Sequence, residues 1–280
     1  MPLILVPTPL GNLGDVTRRA IEALRDAELI VAEDTRVARK LLGALDIGPK
    51  ELWSYREQNA AAVTAGILER ARNANIVLVT DAGMPGISDP GSELVAAARI
   101  AGIAIDVLPG PSAVIGVAAL SGFPLRRFVF EGFPPRSSSA RREAFARALG
   151  AEATTIWYES PQRIAATLAD LAAVAAEAQV FLVREYTKRF EQQVLGTPAT
   201  VAEALAEPVR GEIAFAIAPY ALTTEAPVAL DLETAIDELL AKGLPVAEIA
   251  KRLTRLGMGD RRTLYERATK RKRANNTPLP

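Results

Sequence analysis

The residues best suited to binding a ligand lie at positions 80–91, directly after the apolar run Ile76–Val79. This loop contains three glycines, two prolines and two aspartates. Glycines let a backbone approach a ligand closely, prolines stiffen a turn, and carboxylates accept hydrogen bonds. The pattern therefore predicts a buried strand that ends in a ligand-binding loop.

Three further apolar runs end in loops of a similar kind, within residues 3–15, 29–36 and 103–113. Stretches with helical periodicity separate the runs, at residues 16–26, 37–45, 59–73 and 91–101. Strands that alternate with helices are typical of βαβ units and of a mostly parallel sheet. Ligands bind such sheets at the carboxyl ends of the strands. We therefore expect all four loops to lie on one rim.

The composition limits the chemistry that is available to this chain. Its 280 residues, 49% of them hydrophobic, can form one large or two modest domains. No apolar run is long enough to span a bilayer, and the first strand begins at once, which predicts cytoplasmic residence. The chain has no cysteine and no histidine, so we expect neither disulfides nor a metal site. Proton transfer must use Asp, Glu, Lys, Tyr or water.

The alternation of strands and helices breaks near residues 120–124 and begins again after them, which predicts a second α/β domain. Its expected strands lie at residues 127–133, 154–158, 179–183 and 212–218, and the last should pair antiparallel with its neighbours. The final part is helical, and residues 247–267 have the pattern of a helix-turn-helix or of a plain helical hairpin. We therefore predict three domains: residues 1–122, residues 123–226, and a basic helical tail at residues 227–280.

The formal net charge of zero conceals two basic regions. Residues 241–280 contain 11 Lys and Arg against 3 Asp and Glu, and residues 126–147 contain six arginines against two glutamates. Such segregation favours a polyanionic partner, although ordinary solvated surface charge is the alternative. The candidate phosphate contacts are Arg36, Arg136, Arg141, Arg142, Arg163 and Arg184.

Seven short motifs resemble those of one known family. In chain order they are PTPLGNL at 7–13, EDTR at 33–36, DAGMPGISDPG at 81–91, LPGPS at 108–112, EGF at 131–133, YES at 158–160 and RE at 184–185. Together they resemble the ribosomal RNA small subunit methyltransferase I family, a branch of the tetrapyrrole methylase superfamily. The resemblance covers essentially the whole chain, including the helical tail.

The resemblance implies an α/β fold with two domains and a cleft between them that holds S-adenosylmethionine (SAM). It implies methylation of the ribose 2′-hydroxyl of a cytidine in the decoding region of 16S rRNA, with rRNA or the small subunit as partner, and a homodimer. The implied cofactor-binding residues are Pro9, Leu10, Asp81, Ala82, Gly83, Met84, Ile87, Ser112, Ala113, Tyr158, Glu159, Gly196 and Thr197. Met84 stands where the family pattern has threonine, which removes one hydroxyl.

Methyl transfer from a sulfonium depends mainly on in-line positioning, and a base need only remove the hydroxyl proton. The candidate bases are Glu33, Asp34, Glu131, Glu159, Glu185 and Lys188, and the sequence does not choose among them. Asp34 could equally cap a helix, and Asp81 and Asp89 could equally stabilise turns. Two rival functions remain at this point: a small-molecule methylase of the tetrapyrrole type, and a nucleic-acid-binding regulator.

Overall fold

The structure is a computed structural model that describes residues 2–205, 208–220, 232–241, 244–255 and 260–275. It divides into two compact units, residues 1–222 and 223–280. In the described part of the chain no helix has both the length and the apolar character needed to cross a membrane.

The first sheet is entirely parallel and has the strand order β3-β2-β4-β1-β5. Its strands are β1 (Leu3–Leu5), β2 (Leu29–Ala32), β3 (Glu51–Ser54), β4 (Ile76–Val79) and β5 (Ile105–Val107). Every residue of β2 and β4 is buried, as expected for strands covered by helices on both faces. The predicted parallel sheet is thus present.

Four helices connect these strands and cover both faces of the sheet. They are α1 (Arg18–Asp26), α2 (Thr35–Ala44), α3 (Ala60–Ala71) and α4 (Ser92–Ile100). Helix α5 (Ala113–Ser121) follows β5 and packs against the second sheet. The Thr17 hydroxyl accepts from the Ala20 N–H at the start of α1, and the Asp34 carboxylate accepts from the Arg36 N–H at the start of α2. Asp34 therefore has the capping role that the sequence left open.

The second sheet is mixed, with the order β6-β7-β10-β8-β9. Its strands are β6 (Phe128–Gly132), β7 (Thr154–Glu159), β8 (Val180–Arg184), β9 (Gln192–Gly196) and β10 (Ile213–Ile217). Strand β10 pairs antiparallel with both β7 and β8, as predicted. The helices of this half are α6 (Ser138–Leu149), α7 (Ile164–Val174) and α8 (Pro198–Ala204).

Strands β3 and β9 and helices α5 and α8 were not expected from the sequence. Both strands lie at sheet edges and are only partly buried, so their sequences, ELWS and QQVLG, lack a continuous apolar run. Helix α5 packs against three strands of the second sheet, but its exposed side also carries the apolar residues Ile115 and Leu120, so it shows no amphipathic period. The three-domain division stays a proposal.

The second unit is helical, with α9 (Leu232–Ala241), α10 (Val246–Arg255) and α11 (Arg261–Asn275). Ile236, Ile249, Leu253 and Leu264 are buried at its centre. The Arg271 guanidinium donates to both carboxylate oxygens of Asp237, which ties α11 to α9. The glycine turn of the predicted helix-turn-helix falls at residues 256–259, outside the described residues, as do the last residues of the tail.

A buried ion pair joins α6 to α7 in the first unit. Asp170 accepts hydrogen bonds from Arg141, Arg142 and Ser138, and the side chains of Arg141 and Asp170 are each 6% exposed. Burial alone would raise the pKa of Asp170, but these hydrogen bonds outweigh burial and lower the pKa to about 2. The carboxylate is therefore charged throughout the neutral range and fixes the two helices.

We expect Asp170→Asn to lower the free energy of unfolding by about 3 kcal/mol near neutral pH, because Arg141 then lacks its charge partner. In the wild type, the folded pKa of about 2 lies below the ordinary 3.8. The stabilisation is thus present above about pH 4 and is lost as the pH falls toward about 2. Urea unfolding at several pH values should show the difference between the two proteins shrinking in that window.

Asp26→Asn, on the exposed face of α1, is the matched control and should change stability little. A difference between the wild type and Asp170→Asn that stays constant from neutral pH to about pH 2 would contradict the assigned ion pair.

Candidate active site

Backbone pairing ties the loop after β1 to the loop after β4. The Thr8 N–H donates to the Gly83 carbonyl at 2.9 Å, and the Gly83 N–H donates back to the Thr8 carbonyl at 3.0 Å. The buried Thr8 hydroxyl donates to the Thr80 carbonyl at 3.1 Å. Gly83 has φ +82°, a left-handed conformation that favours glycine. The glycine-rich sequence is thus needed to join two rim loops.

A second connection joins the loops after β2 and β4. The Asp34 N–H donates to a carboxylate oxygen of Asp81 at 3.1 Å. The Arg56 guanidinium donates to the Glu33 carbonyl at 2.9 Å and lies 3.2 Å from an Asp34 oxygen. These contacts hold three acidic side chains at one edge of the sheet.

The four rim loops enclose a cavity of about 410 Å³, which we call the main cavity. Leu10, Glu33, Asp81 and Ser112 represent the loops after β1, β2, β4 and β5 in its wall. The predicted convergence of all four loops on one rim is therefore present.

The second sheet supplies the opposite wall of the main cavity. The Tyr158 ring lies edge-on to Phe130 and Phe133, with centroids 5.0 and 5.7 Å away, and packs in the same apolar cluster as Val114 of α5. A Cβ on Gly116 would lie 2.4 Å from the ring of Tyr186. Close packing between α5 and these two tyrosines thus fixes the width of the cavity.

The main cavity is strongly acidic. Glu33, Asp81, Asp89 and Glu212 all line it. Burial, followed by the charges of Glu33 and Asp81, raises the pKa of Asp89 to about 7. Burial also raises the pKa values of Glu33 and Asp81, and the charge of Asp81 adds to the effect on Glu33 while the charge of Asp34 adds to the effect on Asp81. Asp89 is therefore the carboxylate poised to exchange a proton near neutral pH.

Most of the six candidate bases have their polar atoms engaged elsewhere. Glu159 is buried and accepts from Thr167 and from the Ser160 N–H, with Arg163 3.2 Å away. Lys188 donates to Glu185 and Glu212, and although burial alone would lower its pKa, these carboxylates raise it.

Hydrogen bonds from Arg36 hold the pKa of Asp34 well below its usual range. Burial alone would raise the pKa of Glu185, but its contacts with Lys188 and with the Glu212 N–H lower that pKa. Glu131 is exposed and lies outside the main-cavity lining. Of the six, Glu33 and Glu159 line the cavity, and burial, followed by the charge of Asp81, raises the pKa of Glu33.

Ten of the thirteen predicted cofactor-binding residues line the main cavity: Leu10, Asp81, Ala82, Gly83, Met84, Ile87, Ser112, Ala113, Tyr158 and Glu159. Pro9, Gly196 and Thr197 do not, and Thr197 instead caps α8. The cavity also includes Asp89, Phe133, Tyr186 and Glu212, which were not among the predicted site residues. Asp89 could have been found from its place in the same glycine-rich loop.

The six candidate RNA-binding arginines differ in how far their guanidinium groups are exposed and free of other contacts. Arg141 is buried against Asp170, which removes it from the set that can meet a phosphate. Arg163 donates to the Pro134 and Pro135 carbonyls. Arg184 bonds to Gln192 and to the Arg210 carbonyl. Arg36, Arg136 and Arg142 present exposed side chains, although Arg36 pairs with Asp34 and Arg142 with Asp170.

The described residues contain no cluster of three or more potential metal-ligating side chains. Residues 2–202 match the family model of the Tetrapyrrole (Corrin/Porphyrin) Methylases. A ribosomal RNA small subunit methyltransferase I from Synechocystis is 40% identical over 270 residues, covering 94% of this chain and 96% of the relative. The chain belongs to this family.

A second relative with the same name, from Mycobacterium tuberculosis, is 38% identical over 281 residues. The match covers 99% of this chain and 97% of the relative. Among solved structures, a diphthine synthase matches with TM-score 0.61 at 15% identity, covering 78% of this chain and 90% of that chain. A uroporphyrin-III C-methyltransferase from Thermus thermophilus, complexed with S-adenyl homocysteine, matches with TM-score 0.53 at 19% identity. The match covers 77% of this chain and 97% of that chain. The predicted family and α/β methylase fold are confirmed.

We expect Gly83→Ala to weaken SAM binding by about tenfold in calorimetry. An added Cβ would lie 3.1 Å from the Leu10 side chain, at a φ that strains any L-residue, so the cavity wall must shift. Gly102→Ala is the matched control, because Gly102 has φ +69° with open space around its Cβ position. Equal SAM affinity in the two variants would show that Gly83 does not shape the binding site.

Proposed function

We propose that this protein methylates the ribose 2′-hydroxyl of a cytidine in the decoding region of 16S rRNA. Membership of its family makes it a SAM-dependent methyltransferase of small-subunit ribosomal RNA. The observation that carries the proposal is the likeness to rRNA methyltransferases over nearly the full lengths of both chains, including the region of the helical tail. A small-molecule methylase would have no evident use for the basic tail.

The main cavity suits SAM in shape and in charge. SAM carries a positive sulfonium and an ammonium group, and the carboxylates of Glu33, Asp81 and Asp89 complement both charges. Leu10, Ala82, Ile87 and Ala113 give the apolar contact that an adenine ring needs. When bound, SAM supplies an activated methyl group whose departure leaves a neutral thioether.

The residues of the chain act by binding, orienting and excluding water. Tyr158 and Phe133 close one side of the cavity, and the Thr8–Gly83 pairing holds the opposite loops in position. A fixed wall on both sides restricts the approach of the acceptor to one direction, and such positioning contributes roughly 7 to 11 kcal/mol in well-oriented reactions.

The RNA backbone requires positive charge outside the acidic cavity. Arg136 lies three residues beyond Phe133 and is exposed, and Arg142 has a side chain that is 53% exposed. Arg36 follows β2 on the rim, with a side chain that is 78% exposed. We assign these three arginines to the phosphates on either side of the target ribose. Homodimer formation and cytoplasmic residence stay predictions.

We expect methyl transfer from labelled SAM to small ribosomal subunits or 16S rRNA, and none to a porphyrinoid precursor. Replacement of the target cytidine by 2′-deoxycytidine should abolish transfer, because the acceptor oxygen is then absent. Alkaline hydrolysis of the product should leave one uncut linkage at the methylated ribose. A methyl group on the base would contradict the ribose assignment, and methylation of the porphyrinoid would favour the small-molecule alternative.

We expect the double substitution Arg136→Ala with Arg142→Ala to lower kcat/KM on rRNA by about tenfold and to flatten its salt dependence, if each phosphate contact contributes about 0.5 to 1 kcal/mol. SAM affinity should not change. Arg72→Ala with Arg99→Ala is the matched control. Both arginines lie at the carboxyl ends of helices that lead into β4 and β5, and therefore at the ends of the strands opposite the rim loops. Equal losses in the two double variants would mean that the effect is one of overall charge.

A further inference from the structure

The phenylalanine that follows β6, Phe133, combines two properties. Its side chain lines the main cavity, and 55% of the residue is exposed to solvent. The ring therefore lies where the cavity opens, with its inner side edge-on to Tyr158. Single exposed apolar side chains are common on protein surfaces, so exposure alone does not mark a site. Phe133 differs from them in the way its loop is held.

A β-bulge turns the chain at the end of β6. The register with β7 shifts between Phe130 and Gly132, so that Glu131 is the extra residue of the bulge. Gly132 has φ +72°, in the left-handed region that favours glycine. Bulges redirect the side chains that follow them and are frequent beside active sites. Here the bulge brings the ring of Phe133 to the cavity.

Two arginines fix the backbone that continues from Phe133. Arg163 donates to the carbonyls of Pro134 and Pro135, at 2.5 and 3.1 Å. Arg141 donates to the Pro135 carbonyl and to that of the following residue, both at 3.2 Å. The proline rings restrict φ at two of these positions. Three successive carbonyls are thus held directly beside the exposed ring.

Buried carboxylates hold the two arginines in turn. The side chain of Glu159 is 0% exposed and lies 3.2 Å from Arg163, and the buried Asp170 pairs with Arg141. A buried ion pair contributes little net stability, because the cost of desolvation offsets the attraction. What these two pairs provide is position. They fix a loop whose exposed product is the ring of Phe133.

A rigidly held aromatic ring at the mouth of a cavity suits a flat ligand. Two flat groups belong to the proposed reaction: the adenine of SAM and the base of the target nucleotide. Leu10, Ala82, Ile87 and Ala113 already offer apolar contact to adenine within the cavity. The acceptor, in contrast, must arrive through the opening where Phe133 lies. Unpaired RNA bases are commonly bound by stacking on aromatic side chains.

Positive charge close to Phe133 favours RNA as the ligand. Arg136 is exposed and lies three residues further along the chain, so the two Cα atoms are at most about 11 Å apart. The carboxylates of the main cavity repel phosphate, whereas this arginine attracts it. A nucleotide stacked on Phe133 can therefore direct its phosphates outward while its ribose faces the cavity.

We propose that Phe133 is the platform on which the unpaired base of the target nucleotide stacks, and that this stacking sets the target ribose at the mouth of the main cavity. Every base has a π face, so the platform holds the base without distinguishing cytosine from uracil. This inference rests on the proposed ribose methylation and adds the residue that binds the acceptor.

A series of substitutions at Phe133 tests the stacking. Phe133→Ala should lower kcat/KM on rRNA by about 20-fold, and Phe133→Leu, which keeps apolar volume but has no π face, by nearly as much. Phe133→Trp should retain the activity of the wild type, because indole stacks at least as well as phenyl. The Kd for SAM should not change in any of the three variants.

Phe128→Ala is the matched control. Phe128 lies at the opposite end of β6, is 39% exposed and is absent from the lining of the main cavity. Its removal should leave kcat/KM on rRNA unchanged. Full activity of Phe133→Leu, or equal losses in Phe128→Ala and Phe133→Ala, would overturn the platform. A weakened SAM affinity without an effect on rRNA would assign the ring to the cofactor, and a changed mass in light scattering would assign it to a contact between copies of the chain. Either result would also overturn it.

An rRNA that lacks the target base but keeps its ribose identifies the partner of the ring. The wild type should methylate this abasic RNA about 20-fold less efficiently than intact RNA. Phe133→Ala should treat the two RNAs alike, because neither then forms a stacked pair. Losses that add in full would overturn the pairing of Phe133 with the target base. Absence of ribose methylation of intact rRNA by the wild type would instead contradict the proposed function itself.

Discussion

The parallel pairing of β2, β4, β1 and β5 brings four strand ends to one edge of the first sheet. Parallel strands need helical crossovers, so each loop at that edge leads into a helix that returns along a face of the sheet. The Thr8–Gly83 backbone pairing then joins two of the loops, and the Asp34–Asp81 hydrogen bond joins another pair. Without this arrangement the main cavity would lack the wall that the four loops form.

The second sheet contributes mainly by closing the site. Tyr158 packs in one apolar cluster with Val114 of α5 and lies edge-on to two phenylalanines. Tyr186 packs so closely on Gly116 that any side chain there would collide with it. The main cavity therefore lies between the two sheets of the first unit. Its width depends on small residues in α5 as much as on the residues that line it.

Charge is separated over a short distance at this site. Carboxylates line the main cavity and complement a cationic methyl donor, whereas the exposed arginines lie outside it on the rim and beyond β6. Burial, followed by the charges of Glu33 and Asp81, raises the pKa of Asp89 to about 7. The same separation would keep RNA phosphates out of the acidic space.

The sequence by itself determined the parallel first sheet, the rim loops and most of the cofactor cavity, because apolar runs that end in glycine, proline and aspartate are local signals. It could not show that Arg141 faces Asp170, 29 residues away, that Glu159 pairs with Arg163 and Thr167, or that Glu185 pairs with Lys188. It also gave no reason to prefer Asp89 to the other carboxylates as a residue of the site. Those distinctions depend on burial and on contacts between distant segments, and only the tertiary structure sets them.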